Sequence, residues 1–179
     1  MKIMLLHNTF IPEYGGSSIR AYNLLSRIPY DITVITPDRK SDGTPFKLKY
    51  EKLNQITIKR VNALTPHSIW KLPLLRYFYH EKTILNAAKK EHVDLIQSRN
   101  MPPYIFAAYK SSKNMNKPLI IEAHPIASKR FQYYTNMMNI KKIFKHAKHV
   151  ISLTEASKRW VMKQYQIPIE KITVIKNGV

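Results

Sequence analysis

Short β-branched and aliphatic runs alternate with segments of helical period along the whole sequence, and no other feature limits its fold as strongly. "KIMLLH" (2–7), "DITVITPD" (31–38), "VDLIQSRN" (93–100), "KPLIIEAHP" (117–125) and "HVISLTE" (149–155) carry apolar runs without the polar alternation of a half-exposed strand. Such runs mark strands buried on both faces. "QITIKRVNAL" (55–64) alternates as a more exposed strand, and "KITVIKNGV" (171–179) supplies the last one. Between them, Ala21, Leu24, Leu25 and Ile28 recur at helical spacing, with Ser17 or Ser18 available as a cap and Pro29 as a stop. Helices are also expected after Pro73, in "PPYIFAAYKSSKN", through Tyr133, Met137, Ile140, Phe144 and Ala147, and over 156–165. "SDGTPFKLKYEKLN" reads as polar and broken. Strands and helices in this order predict an open, mostly parallel α/β sheet with helices on both faces.

Sheets of that kind bind ligands beyond the carboxyl ends of their strands. His7-Asn8, Ser98-Arg99-Asn100, His124 and Thr154-Glu155 all fall at those ends. Gly15 and Gly16 stand where the first strand passes into the first helix, in a chain with only 4 glycines. Two uses fit the pair. A turn can need positive φ, or a bound phosphate can need close approach to the helix N-terminus. "EYGGSSIR" lacks the G-x-G-x-x-G spacing of a dinucleotide fingerprint, and no Gly-Lys-Ser/Thr of a P-loop follows.

Charge narrows the partners. Thirty Lys+Arg against 11 Asp+Glu give a formal net charge of +19. Nucleic acid, an anionic membrane surface and phosphorylated substrates are the three classes such a balance serves, unless the excess is merely solvated. From Lys129 through Arg130, Lys141, Lys142 and Lys145 to Lys148 no acidic residue intervenes. Tyrosines and tryptophan among lysines in "IWKLPLLRYFYHEK" and "SKRFQYYTNMMNIKKIFKHAK" suit either a membrane interface or base stacking. No apolar run reaches membrane-spanning length.

Taken in order, "MKIMLLHNTFIPEYGGSSIRAYNLLSRI…ITVITP", "VDLIQSRN", "KPLIIEAHP" and "AKHVISLTEASKRWVMKQYQIPIEKITVIKNGV" resemble the family 4 (group 1) glycosyltransferases. The resemblance implies the N-terminal, acceptor-binding domain, residues 1–179, of a GT-B enzyme built from two Rossmann-like domains. The C-terminal, donor-binding domain would lie beyond "NGV", and without it the isolated domain is expected to be inactive. The implied reaction is retaining transfer of a sugar from a nucleotide-sugar, a substrate rather than a cofactor, to a lipid-linked or cell-surface glycan acceptor. A cytoplasmic location follows, with peripheral contact on the inner face of an anionic membrane. A basic Rossmann-like module for nucleic acid or a regulatory partner is the alternative.

Residue by residue, the resemblance makes His124 the histidine beside the transferred sugar. Gly15 and Gly16 become the loop that meets the donor diphosphate or an acceptor phosphate, and Thr154 takes the place of a family serine before Glu155. Arg99, within Ser98-Arg99-Asn100, stands where the family often has histidine, and would meet an anionic acceptor. The sequence also departs from the pattern at "IPYDI", before the second strand, and at Lys176, where proline is usual.

Overall fold

The computed structural model describes residues 1–63, 73–125 and 139–176, with the side chains of Pro73 and Leu74 left aside. Its strands are β1 (Lys2–Leu6), β2 (Asp31–Pro37), β3 (Tyr50–Leu53), β4 (Ile56–Val61), β5 (Leu95–Arg99), β6 (Leu119–Ala123), β7 (His149–Ser152) and β8 (Ile172–Val174). The helices are α1 (Gly16–Leu25), α2 (Pro73–Ala88), α3 (Tyr104–Met115), α4 (Ile140–His146) and α5 (Glu155–Tyr165). They form one sheet in the order β3-β4-β2-β1-β5-β6-β7-β8, parallel except for β3, which runs antiparallel to β4.

The apolar runs explain both layers. Ile3, Leu5, Ile32, Val34, Ile56 and Ile58 pack with Phe10 and the Ala21–Leu25 side of α1. The alternate residues Met4, Leu6, Ile35, Ile96, Ile121 and Val150 join the larger core that includes residues of α2, α3, α4 and α5. Right-handed crossovers produce this division. The chain winds outward through β2 and β4, with α1 on one face. It then crosses back through α2 on the other face and winds out through β5 to β8. The reversal falls between β1 and β5, and the carboxyl ends of those two strands bound the crevice.

Three expectations require correction. The broken stretch before residue 55 contains β3, whose exposed edge position removes the apolar alternation that would have marked it. β4, expected to be more exposed, has no exposed residue and is buried at alternate positions, where Ile56 and Ile58 pack with Ala21 and Leu25 of α1. The helix expected through Tyr133 and Met137 begins, within the described residues, only at Ile140. Asn139 precedes it at φ 50° and caps it by accepting the Lys142 N–H, and Ala147 lies beyond its end. Lys129, Arg130, Tyr133, Met137 and the Asn-Gly pair at 177–178 lie outside the described residues. Ile140 and Phe144, an apolar face that could have met a membrane, are core, and Phe144 stacks on Tyr165 at 3.8 Å between ring centroids.

Candidate functional site

The loop from β1 to α1 is built before any ligand arrives. Phe10 is buried in the core, and the Arg60 guanidinium of β4 donates to the Ile11 carbonyl at 3.0 Å. Arg60 is itself held by Glu51 at 2.8 Å and lies over the Phe46 ring. Ser18 does not cap by preceding the helix; it locks the turn from within. Its hydroxyl accepts the Gly15 N–H at 2.9 Å and donates to the Glu13 carbonyl at 2.7 Å. Gly15 is the residue before the helix, and its φ of −154° is ordinary extended backbone. Gly16 has no positive φ either. A Cβ on Gly16 would meet nothing within 4 Å, and one on Gly15 only Ser18 Oγ at 3.8 Å. Backbone conformation therefore does not require either glycine, and neither does internal packing. Of the two uses open to the pair, the turn needing positive φ is removed. Both residues are exposed, and the first N–H groups of α1 have no intrahelical partner by construction.

A second group of residues gathers where β1, β5 and β6 end. Register sets Leu6 beside Ser98, and Arg99 beside Glu122. His7 prolongs the β1 ladder by donating its N–H to the Ile35 carbonyl. His7, Arg99 and Glu122 thus form one row across three neighbouring strands, on the α1 side of the sheet. His124, two residues after Glu122, joins that side.

The contacts in this row are specific. Glu122 is buried, 7% exposed, with Oε1 2.8 Å from His124 Nε2 and Oε2 3.5 Å from Arg20 Nε of α1. Arg20 extends further, donating to the carbonyls of Ile175 at 3.0 Å and Lys176 at 3.2 Å, just past β8. Asn100, fully buried, grips the His124 backbone twice: its amide donates to the His124 carbonyl at 2.8 Å and its oxygen accepts the His124 N–H at 3.0 Å. His7 Nδ1 is bonded to the Thr9 main chain.

Electrostatics follow from burial and from these neighbours. Burial pushes the His7 imidazole down to about 4; Arg99 and His124 add to that shift, while Thr9 and Glu122 oppose it. Burial alone would raise the Glu122 carboxyl, yet the hydrogen bond from His124 and the charge of Arg20 bring it below its ordinary value. Burial lowers the Arg99 guanidinium, against the pull of Glu122. Arg99 Nε is buried without a hydrogen-bond partner among the described residues. The described residues bring no three histidine, aspartate or glutamate side chains together as a metal would need.

The fold thus brings His124, Arg99 and His7 together, and Arg20 ties them to the helix that begins at Gly16. Thr154 stands apart from this network. Exposed at the end of β7, it accepts the Ser157 N–H at 3.0 Å as the cap of α5. Glu122, Arg20 and Asn100 are the residues a motif search passes over. One signal was available: Glu122 interrupts the apolar run "LIIEAH", and a charge inside a buried strand must find a partner.

The sequence model of the family described as Glycosyltransferase Family 4 matches residues 14–179. None of the curated proteins matches the chain. Among solved structures, Anabaena HepE in complex with UDP and glucose superposes with a TM-score of 0.62 at 20% identity, covering 100% of this chain and 45% of its own. Sucrose-phosphate synthase from Thermosynechococcus elongatus gives 0.64 at 14% identity, with 99% of this chain and 48% of that one covered. UDP-GlcNAc 2-epimerase from Methanocaldococcus jannaschii gives 0.59 at 15% identity, with 99% and 46% covered. The chain spans less than half the length of these proteins, and because their named reactions differ, they establish a shared fold and no shared chemistry.

Proposed function

This chain belongs to glycosyltransferase family 4, and from that premise we propose that it forms the acceptor-side domain of a retaining enzyme that transfers a sugar from a nucleotide-sugar. The observation that carries the reading is the convergence of His124, Arg99 and the Gly16 end of α1 at the carboxyl edge of a family 4 domain. HepE holds UDP and glucose in its structure, and a nucleoside diphosphate sugar is the donor we assign here. As the diphosphate leaves it gathers negative charge, which N–H donors fixed at a helix N-terminus stabilise without reorganising. His124, held through its backbone by Asn100, orients the sugar. Arg99, half-buried at the end of β5, offers its guanidinium to an anionic group. A second domain supplies the remaining nucleotide contacts, so residues 1–179 alone do not turn over.

Gly16→Val separates this reading from a structural one. A Cβ there meets open space, so the melting temperature is expected to stay within a few degrees. Transfer is expected to fall about a hundredfold, because the branched side chain holds the phosphate away from the N–H groups. Parallel loss of melting temperature and activity overturns the phosphate role. Absence of sugar transfer from every nucleotide-sugar by the unaltered two-domain enzyme overturns the function itself.

The acceptor we propose is lipid-linked, reached by peripheral contact with an anionic membrane. No helix among the described residues is long and apolar enough to cross a membrane. The start of α2 offers a surface contact instead. Leu75 and Phe78, one turn apart and both 44% exposed, follow the carboxyl edge of β4 and flank Arg76. Vesicles containing anionic lipid are expected to co-sediment the protein, neutral vesicles not, and Leu75→Ser/Phe78→Ser is expected to weaken binding several-fold. Equal binding to both vesicle types, or displacement by DNA, removes the membrane from the proposal.

A further inference from the structure

We propose that Glu122 is a positioning residue that sets which ring nitrogen of His124 is offered to the sugar; this rests on the glycosyl-transfer reading of the site. An ionised carboxylate can only accept hydrogen bonds. With Oε1 2.8 Å from His124 Nε2, the proton of the imidazole must sit on Nε2. In the neutral ring, Nδ1 is then left as an acceptor, and among the described residues the ring's hydrogen bond is the one to Glu122 through Nε2. A sugar hydroxyl is the donor that complements it. The His124 main chain is fixed separately by Asn100, so backbone and ring are each held by one dedicated side chain.

The second oxygen of Glu122 gives the arrangement its reach. Oε2 faces Arg20, which stands one turn beyond Gly16 on α1 and also binds the Ile175 and Lys176 carbonyls. One carboxylate therefore sets the histidine and, through a single guanidinium, the helix whose N-terminus meets the phosphate. Stability does not account for such a pair. Burying Arg and Glu together costs about as much in desolvation as their attraction returns. Orientation does account for it, because the carboxylate, the ring and the guanidinium each fix the next.

The test uses a variant pair chosen to remain folded. Arg20→Met/Glu122→Leu removes both members of the buried pair, so that neither is left without the other. In the unaltered protein, ring-nitrogen NMR is expected to show the His124 proton on Nε2, protected from exchange with water. In the double variant the backbone amide spectrum is expected to remain that of a folded chain while the ring N–H signal disappears into exchange. In the full enzyme, kcat/KM falls by roughly tenfold to a hundredfold. Two results overturn the proposal: a proton on Nδ1 in the unaltered protein, or a ring N–H that stays protected without Glu122. The first is read without any variant, so a misfolded double mutant does not leave the question open. Neither NMR reading uses a sugar nucleotide, so failure of the positioning role and failure of the transferase reading are told apart.

Discussion

Glu122→Leu alone is expected to destabilise the fold by about 3–5 kcal/mol, although leucine suits a buried strand better than glutamate does. The substitution takes from the Arg20 guanidinium, 9% exposed, the Glu122 carboxylate 3.5 Å away. The carbonyls of Ile175 and Lys176 still accept from it, but they are dipoles and do not neutralise an ion in a low-dielectric interior. Adding Arg20→Met is expected to restore most of the loss, since the buried guanidinium is then removed together with its carboxylate and the volume is roughly kept. Urea denaturation with an unchanged m-value measures both steps. Equal stability of the single and double variants would show that the guanidinium is hydrated in solution, and that the buried pair does not hold α1 to the sheet.

Acid is expected to produce the second large effect, and His7 has the clearest part in it. Its imidazole is pushed down to about 4 in the folded chain, against 6.5 for the free group. Below pH 6.5 the unfolded chain therefore binds a proton that the folded chain refuses. Stability from this group is fully present above pH 6.5 and lost as pH falls towards 4. A shift of that size corresponds to about 3 kcal/mol across the window. His80, pushed down to about 4 by burial and Arg76 against the pull of Asp38, adds a loss of the same sign. Growing net positive charge adds a third, so the His7 share must be isolated by comparison. His7→Gln, whose amide keeps a donor for the Thr9 carbonyl and an acceptor for its N–H, is expected to flatten the decline in unfolding free energy between pH 6.5 and 4. An unchanged slope would mean that His7 protonates in place.

Much of the site's location was legible because it depends on chain direction alone. In a parallel sheet every strand delivers its last residues to the same edge. His7, Arg99, Asn100 and His124 could therefore be assigned to one edge without knowing which strands are neighbours. The Gly pair was visible too, but its meaning was not. Positive φ and close approach of a ligand leave the same two letters in a sequence. Only the backbone angle of Gly15 and the open space beside Gly16 separate them. Thr154 was found by its motif place after β7, and there its hydroxyl caps α5.

Local pattern by itself determined that there would be buried parallel strands, helices on both faces and a polar carboxyl edge. Those properties follow from periodicity and from the hydrophobic cost of exposing "KIMLL" or "LIIEA" to water. It could not determine strands whose character comes from their neighbours. Tyr50–Leu53 is a strand because β4 offers it an edge, and Ile140–His146 starts where Asn139 turns the chain. Nor could it say which charges meet. Arg20 reaches a carbonyl 156 residues away, and Glu122 finds Arg20 from another layer. Such pairings depend on strand order, register and the face on which each helix lands. No window of neighbouring residues contains that information, because a buried ion chooses its partner by distance in space, where its desolvation must be offset.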